Sequence, residues 1–397
     1  MSNARSGDDH LTAAGSAARG DLALVLTGGG ARGAYQVGVL RGLSRHFPDL
    51  SFPILAGVSA GAINASFLAA HPGTLAEATE ELYGIWSRLE VEDIFRIDTV
   101  SLARHFTRWA SHLVSGGMSL PEVRGLVDTG PLHDTIRHSS ATVDGELIGI
   151  QRNLERGTLK ALTLTALNYT TEQTVTWVQA LNVQPWSQPR HRSLSARITT
   201  EHVMASAALP LFFPAVRLGD DWYGDGGIRL STPLVPALRL GATHILAISP
   251  HHEPTQEEAN RAKYDGYPPP AQILSQLLDA VFLDILDEDV RRLESINSLV
   301  TQLPSADERG LREVAIQTVR PSQALGRIAS SYEPCLPLGF RYLTRSLGTR
   351  ETDSSDLLSF LMFQPDFLRR LLEMGEDDAE ARLDDLRSLL APPGSQP

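Results

Sequence analysis

The chain has 397 residues, 42% of them hydrophobic, and a formal net charge of −12. This composition provides for a large core and excludes wholesale disorder, while the acidic balance argues against nucleic acid as a partner and against docking on anionic lipid by charge alone. The single cysteine, Cys335, excludes an internal disulfide and a multi-cysteine metal site, and it favours a reducing compartment.

The N-terminal residues 1–20 are small, polar and mixed in charge, and no apolar segment of the signal-peptide type follows them. We therefore predict a disordered tail over 1–20 and a cytoplasmic protein. Nowhere does the sequence reach the ~18 consecutive apolar residues that a membrane-spanning helix needs. A lipid substrate would therefore be met from the surface, with the protein at most peripheral to the membrane.

A strand buried on both faces is predicted over 22–26, where only apolar residues occur. It leads into a glycine loop at 27–33, and Val37, Leu40 and Leu43 follow with the spacing of one helix face. Together with a second apolar strand predicted at 52–56, this order indicates a right-handed parallel β-α-β unit.

The glycine loop supports two interpretations. Gly28, Gly30 and Gly33 match the Gly-x-Gly-x-x-Gly pattern of dinucleotide-binding sites, but no acidic residue closes a second strand about 20 residues later, and Asp49 lies in a turn. Alternatively, glycine amides at the end of a strand form a cradle for an anion, such as the oxyanion of an ester tetrahedral intermediate. Parallel pairing of the first two strands would place this loop beside Ser59.

Ser59 lies in the pentapeptide Gly57-Val58-Ser59-Ala60-Gly61, between the strand at 52–56 and an apolar helix predicted at 62–70. Strand, Gly-x-Ser-x-Gly and helix is the context of a nucleophile elbow, in which the serine occupies a sharp and strained turn. Side chains at 57 and 61 would collide in such a turn, and glycine avoids the collision. The pattern therefore predicts Ser59 as a nucleophile.

The middle of the chain is predicted to contain an amphipathic helix at 74–89 and two adjacent strands or a hairpin at 159–167 and 174–181. Between them, the aromatic residues Phe95, Phe106 and Trp109 recur in a looser pattern. This stretch, 91–125, is a candidate cap over the site or an ordinary set of helices that cover the sheet.

Asp225 is predicted at the end of a second hairpin, 216–223, in a loop where Gly224, Gly226 and Gly227 flank it. An acid displayed at a strand end is well placed for catalysis. The alternative is an aspartate whose side chain only stabilises the turn.

The character of the chain changes after Pro250. A charged, proline-rich loop at 254–270 precedes a long amphipathic helix predicted at 271–300, and a strand at 314–319 and helices at 354–390, broken at Pro365, follow. The apolar stripe of the long helix could contact lipid or a partner chain, but such a stripe more often packs in a core.

Three motifs in this order, Gly28–Gly33, Gly57–Gly61 and Asp225–Gly227, resemble those of the patatin-like phospholipase family. The stretch Ala205–Pro210, followed by Phe213-Pro214, also resembles the family. The resemblance covers about residues 21–250 and implies an α/β fold with a central, mainly parallel sheet and helices on both faces. We therefore predict a catalytic domain at 21–250 and a mostly helical C-terminal extension at 251–397, packed on it or appended to it.

The resemblance also implies an activity: hydrolysis of lipid acyl esters of the phospholipase A or lysophospholipase type, by a Ser-Asp dyad without histidine. Carried over residue by residue, Ser59 is the nucleophile, Asp225 is the base, and the amides of Gly28–Gly30 form the oxyanion hole. Arg32 matches the basic position of the glycine motif and would steady the loop or the oxyanion. The expected site residues are Gly28, Gly29, Gly30, Ala31, Arg32, Gly33, Gly57, Ser59, Gly61, Asp225, Gly226 and Gly227.

The alternatives are a thioesterase or acyltransferase with the same dyad, a dinucleotide-binding oxidoreductase that uses the glycine loop, and a non-catalytic lipid-binding or scaffold protein. No metal and no cofactor is implied, the partner is a lipid acyl-ester substrate with transient membrane contact, and the oligomeric state stays open. A Ser-His-Asp triad is a further possibility, because His244, His251 and His252 follow Asp225. The dyad predicts an acid limb in the pH-rate profile below that of a free histidine, ~6.5.

Overall fold

The computed structural model describes residues 21–96, 125, 127–139, 141–143, 145–210, 212–260, 267–303, 311–346 and 356–390. The tail predicted over 1–20 lies outside the described residues, as do Phe106 and Trp109 of the predicted cap.

The described strands form one ten-stranded sheet in the order β10-β9-β1-β2-β3-β4-β6-β5, with β8 paired to β3 and β7 paired to β8. The five strands from β10 to β3 run parallel to one another, while β3 and β4 form an antiparallel hairpin and so do β7 and β8. The strands are β1 (Asp21–Leu26), β2 (Ile54–Val58), β3 (Ala161–Asn168), β4 (Gln173–Ala180), β5 (Ser187–Gln188), β6 (His191–Ser195), β7 (Val216–Leu218), β8 (Asp221–Asp225), β9 (Ala242–Ile248) and β10 (Ala315–Val319).

Helices connect and follow these strands. They are α1 (Gly33–His46), α2 (Ala60–Ala70), α3 (Leu75–Trp86), α4 (Val91–Ile94), α5 (Gly130–Arg137), α6 (Ile148–Arg156), α7 (Thr200–Ser206), α8 (Val235–Arg239), α9 (Gln256–Ala259), α10 (Pro270–Phe282), α11 (Asp284–Val300), α12 (Leu325–Tyr332), α13 (Leu338–Ser346), α14 (Asp356–Leu361), α15 (Pro365–Ala381) and α16 (Leu383–Leu390). No helix within the described residues is both long and apolar enough to cross a membrane.

The sheet is buried on both faces, as β1 shows by alternation. Leu24 and Leu26 belong to the core that contains the side chains of α1, α2 and α15, whereas Ala23 and Val25 belong to the core that contains those of α8 and α11. A strand covered on both faces is apolar throughout, because successive side chains point to opposite sides. The predicted α/β class, with a mainly parallel sheet and helices on both faces, is confirmed.

The C-terminal region is mostly helical, as predicted, but it also extends the sheet, since β10 pairs in parallel with β9. The single helix predicted over 271–300 is wrong in one respect, because α10 and α11 are separated at Leu283. Leu283 has φ −112° and ψ −46°, which departs from the regular helical φ of about −63°, and its side chain is buried. The apolar side chains of α10 pack in the core that contains Leu283, whereas those of α11 pack in the core on the other face of the sheet.

The register of β3 brings the two predicted reacting residues together. Residues 161–165 of β3 pair with β2, and Val58 lies opposite Thr165. At the next position the same edge of β3 passes to β8, and Asp225 lies opposite Ala166. The chain therefore leaves the sheet at Ser59 at the point where β8 brings in Asp225, although 166 positions separate the two residues in sequence.

Candidate active site

The turn at Ser59 has the strained backbone that the elbow motif predicts. Ser59 has φ +57° and ψ −129°, a left-handed conformation that a residue with a side chain rarely adopts. A Cβ atom at Gly57 would lie 2.5 Å from the carbonyl oxygen of Gly61, and one at Gly61 would lie 2.2 Å from that of Leu26. Neither position has space for a side chain, which agrees with the steric argument from the sequence, while the role of the turn as a nucleophile elbow stays a prediction.

Ser206, a serine to which the sequence assigned no role, holds this turn in place. The backbone N–H of Ser59 donates to Ser206 Oγ at 3.2 Å, and Ser206 Oγ donates to the carbonyl oxygen of Thr165 at 2.7 Å. Two residues later, the carbonyl oxygen of Ala208 accepts the backbone N–H of Asp225 at 3.0 Å. The stretch 205–210, which resembled the family in sequence, thus connects the serine turn, β3 and the aspartate loop.

Asp225 is completely buried, and its carboxylate has few partners. Its Oδ1 accepts the backbone N–H of Gly227 at 2.9 Å, while Oδ2 has no hydrogen-bond partner within 3.5 Å among the described residues. Burial raises the pKa of Asp225 to about 7, and the Ser59 hydroxyl and the Gly227 N–H lower it by less. The Ser59 hydroxyl is therefore near enough to the carboxylate to lower its pKa, although no hydrogen bond of standard geometry joins the two side chains.

This pKa changes one expectation from the sequence. From the sequence, an aspartate base predicts an acid limb of the pH-rate profile at a pH below the pKa of free histidine. An aspartate with a pKa of about 7 would instead give an acid limb in the pH range of a histidine. The position of the acid limb therefore cannot separate a dyad from a triad, and only substitutions can.

The glycine loop lies against the elbow, as parallel pairing of β1 and β2 requires. A Cβ atom at Gly28 would lie 2.9 Å from Ser59 Cβ and 3.4 Å from Ser59 Oγ. The amides of Gly28 and Gly29 donate no hydrogen bond among the described residues, and Gly28 lies directly against Ser59.

The other glycines of the site face protein. A Cβ atom at Gly29 would lie 2.8 Å from Pro250 Cγ, and one at Gly30, where φ is +56°, would lie 2.2 Å from the carbonyl oxygen of Phe360. At these two positions glycine allows close packing against the protein itself, so the Gly-x-Gly-x-x-Gly match is explained without a bound pyrophosphate.

Three further predicted positions serve packing around the loop. Ala31 is completely buried, and a Cβ atom at Gly33 would lie 2.8 Å from the ring of Trp86. A Cβ atom at Gly226 would lie 2.2 Å from the carbonyl oxygen of Thr165. These residues allow the loop, the helices and β3 to approach one another closely.

A buried network of hydrogen bonds connects the glycine loop to α1, α2 and α3. Gln36 Nε2 donates to the carbonyl oxygen of Thr27 at 2.7 Å, and Asn64 Nδ2 donates to the carbonyl oxygen of Gly33 and to Gln36 Oε1, each at 3.0 Å. Trp86 Nε1 in turn donates to Asn64 Oδ1 at 2.9 Å. In the sequence, the only indication of this network was one amide side chain, Gln36 or Asn64, within each of two otherwise apolar helices. Because the network is fully hydrogen-bonded, it should make the glycine loop more rigid.

Arg32 is buried, and its partners lie outside the elbow. Arg32 Nη2 is 2.6 Å from Asp356 Oδ1, and Nε donates to Ser359 Oγ at 2.7 Å. Nη1 lies 3.5 Å from the carbonyl oxygen of Pro250. The C-terminal region therefore reaches the glycine motif directly.

An apolar cavity of about 250 Å³ opens beside Ser59 and Gly30. It runs between α2, α3 and the helices that follow, and most of its wall is hydrocarbon. The lining includes Ile63, Phe67, Leu82, Ile85, Trp86, Leu132, Ile136, Val203, Leu209, Phe213, Phe360 and Phe363. A cavity of this chemistry accommodates an acyl chain and repels a charged group.

The histidines after Asp225 have other neighbours. His251 Nδ1 lies 3.5 Å from Asp287 Oδ2, His252 Nε2 lies 3.1 Å from Glu258 Oε2, and His244 Nδ1 lies 3.0 Å from Thr243 Oγ1. His138, to which the sequence assigned no role, lines the cavity, with Nδ1 2.8 Å from the carbonyl oxygen of Asp134. In the part of the chain that the structure describes, no hydrogen bond joins Asp225 to a histidine, and no group of three acidic, histidine or cysteine side chains could hold a metal ion.

The amino-acid sequence from residue 24 to residue 238 matches a family model described as patatin-like phospholipase. Among solved structures, VipD from Legionella pneumophila is 14% identical with a TM-score of 0.40, and the alignment covers 92% of this chain and 67% of VipD. Human GIVD cytosolic phospholipase A2 is 12% identical with a TM-score of 0.42, and there the alignment covers 94% of this chain but 60% of the human chain. No curated protein sequence matches this chain.

Proposed function

Because the chain belongs to the patatin-like phospholipase family, we propose that it hydrolyses the acyl ester of a phospholipid or lysophospholipid through a dyad of Ser59 and Asp225. The observation that carries the proposal is the buried carboxylate of Asp225, which interacts with the hydroxyl of Ser59, a residue that lines the apolar cavity. A carboxylate with a pKa of about 7 is half ionised near neutral pH and is therefore a competent base for a serine hydroxyl.

In the acylation step, Ser59 Oγ attacks the ester carbonyl carbon while Asp225 accepts the hydroxyl proton. The negative charge that develops on the carbonyl oxygen is stabilised by the amides of the glycine loop, each such donor contributing about 3 kcal/mol in a preorganised site. The tetrahedral intermediate then collapses, the ester C–O bond breaks, and the leaving alkoxide takes the proton from Asp225. The acyl group remains on Ser59.

In the deacylation step, Asp225 removes a proton from a water molecule, which attacks the acyl-Ser59 carbonyl carbon. The second tetrahedral intermediate releases the fatty acid, and Ser59 recovers its proton from Asp225. The acyl chain would lie in the apolar cavity throughout, because its lining offers hydrocarbon contacts from Ser59 inward. A thioesterase or acyltransferase would use the same two residues with a different leaving group or acceptor.

The substrate class follows from charge. The chain carries a formal net charge of −12, so a zwitterionic or neutral lipid suits it better than an anionic one. We further propose that the protein meets this lipid transiently at a membrane surface.

The test is labelling with a fluorophosphonate probe, followed by mapping of the modified peptide, together with fatty-acid release from phosphatidylcholine and lysophosphatidylcholine. Wild-type protein should be labelled at Ser59, and Ser59→Ala should lose both labelling and hydrolysis by a factor of at least ~10³. Ser51→Ala, at an exposed position before the elbow strand, is the matched control and should keep both. Hydrolysis that persists in folded Ser59→Ala would overturn the assignment of the nucleophile.

A further inference from the structure

The guanidinium of Arg32 is committed almost entirely to the C-terminal region. Its side chain is 1% exposed, and Nη2 contacts both the carboxylate and the carbonyl oxygen of Asp356, at 2.6 and 3.3 Å. Its Nε donates to Ser359 Oγ, and its charge lies 4.7 Å from the ring centroid of Phe360. A buried cation is tolerated only where partners of this kind compensate for lost water, so removal of a partner on α14 would leave the charge of Arg32 uncompensated.

The same segment forms part of the wall around Ser59. The carbonyl oxygen of Phe360 occupies the space beside Gly30 that a side chain would need, and Phe360, Leu361 and Phe363 line the apolar cavity together with Ser59. A displacement of α14 would therefore uncover the glycine loop and open the cavity at once.

A second element of the C-terminal region, α10, reaches both loops of the site through Phe282. Cβ atoms at Gly28 and Gly227 would lie 3.5 and 2.3 Å from Phe282 Cδ1, so the ring of Phe282 lies over both the glycine loop and the aspartate loop. Phe282 meets Phe360 edge to face with ring centroids 6.1 Å apart, and the N–H of Leu357 donates to Ser275 Oγ of α10 at 3.0 Å. We call Phe282 and Phe360 together the roof.

We propose that Arg32 is a positioning residue, whose ion pair with Asp356 holds the roof over Ser59 and Asp225 and thereby keeps the glycine loop ordered and the aspartate dry. In this role Arg32 acts on the reaction through α14 and contacts no reacting atom. The kinetic part of this inference rests on the proposed function, whereas its structural part does not.

The structural part is tested by hydrogen exchange of the free protein in Asp356→Ala. Amides of the peptide that spans residues 27–36 should exchange at least about tenfold faster than in wild type, because the loop loses the helix that covers it. The matched control is Asp366→Ala, since Asp366 also begins a C-terminal helix and is paired with an arginine, Arg369, but at an exposed site. Asp356→Glu should restore part of the protection. Equal exchange in wild type and Asp356→Ala would overturn the inference.

The kinetic part is tested on the same variants with a soluble p-nitrophenyl ester. Asp356→Ala should lower kcat, and its acid limb should move to lower pH, because water that reaches Asp225 stabilises the charged carboxylate and reduces its raised pKa. If Asp356→Ala only reduced the amount of correctly folded protein, the maximum kcat would fall, but the pH of the acid limb would not change. An increase in kcat/KM in Asp356→Ala would contradict the proposal, since the roof would then act as a barrier to substrate.

The two proposals fail in different ways. If wild type releases no fatty acid but loop exchange responds to Asp356, the proposed function fails and the positioning role stands. If wild type is active but Asp356→Ala changes neither the hydrogen exchange of the glycine loop nor the pH of the acid limb, the positioning role fails. Should Asp356→Ala not fold, Ser359→Ala removes the partner of Arg32 Nε alone and is measured in the same two assays.

Discussion

The two sides of the candidate site are constructed in different ways. On the side of residues 21–250, the important groups are backbone amides, one hydroxyl and one carboxylate. The amides and the hydroxyl follow the parallel strands β1 and β2, whereas the carboxylate lies at the end of β8, which runs antiparallel to β3. On the side of the C-terminal region, the important groups are the rings of Phe282 and Phe360 and the carboxylate of Asp356. The first side needs particular backbone angles and hence glycine motifs, while the second needs only apolar volume and one ion pair.

This contrast indicates how function is divided along the chain. The loop side supplies chemistry, which tolerates little change, because reacting atoms must lie within hydrogen-bond reach of one another. The helical side supplies exclusion of water, which many apolar side chains can provide. Substitutions on the two sides should therefore differ in size and in kind, and the following predictions run from the largest expected effect to the smallest.

Asp225→Asn should have the largest effect of all. The amide is nearly the same size as the carboxylate but cannot accept a proton, so hydrolysis should fall by at least about a thousandfold. The folded state should at the same time become more stable. Because burial raises the pKa of Asp225 in the folded state to about 7, wild-type stability is lost progressively as pH rises from the unfolded pKa through about 7 and the buried carboxyl ionises.

The measurement is thermal unfolding of wild type and Asp225→Asn at about pH 5 and about pH 8. The variant should be more stable by roughly 1–4 kcal/mol at the higher pH, with a smaller difference at the lower pH, where wild-type Asp225 is protonated. An inactive variant that is also less stable at both pH values would contradict the buried, raised-pKa carboxylate.

Gly28→Ala and Gly30→Ala separate the two sides of the site. A methyl group at Gly28 would push against Ser59, whereas one at Gly30 would push against the backbone of Phe360 and would force a side chain into a positive φ. Each should lower kcat on the order of a hundredfold, the loss expected when an oxyanion donor is displaced. Only Gly30→Ala should also increase hydrogen exchange in α14.

The control for both variants is Gly84→Ala. Gly84 lies inside α3, where a Cβ atom would have only the side chain of Arg88 nearby, at 3.7 Å. It should leave activity unchanged and raise stability slightly, since alanine favours a helix more than glycine does. If Gly28→Ala keeps full activity, the glycine loop is not the oxyanion hole.

The smallest effects are expected for the histidines. Most of the hydrolytic activity should remain in each of four variants: His138→Gln, His244→Gln, His251→Gln and His252→Gln. In each of them, as in wild type, kcat/KM should decrease as pH falls through about 7, because Asp225 becomes protonated. The measurement is kcat/KM against pH for wild type and each variant. One folded variant as inactive as Asp225→Asn would replace the dyad by a triad and reduce Asp225 to a residue that orients that histidine.

Most of the loop side could be predicted from local sequence. A glycine at 57 or 61 is needed because of atoms within the turn and the adjoining strand, so the motif carries its own geometry. Ser206 and Asn64 were missed for the opposite reason, because their partners, Ser59 and Gly33, lie 147 and 31 residues away. A hydrogen bond over such a separation leaves no periodic pattern in the sequence.

The sequence by itself therefore determined the α/β class, the elbow, the glycine loop and the order of the motifs, because strand periodicity and turn sterics act over a few residues. Only the tertiary structure decided that β8 continues the edge of β3 where β2 ends, that Asp225 is completely buried and has a raised pKa, and that Arg32 binds Asp356. These features depend on which surfaces meet after the chain has folded. Burial and pairing energies are properties of the assembled environment, and no single segment contains them.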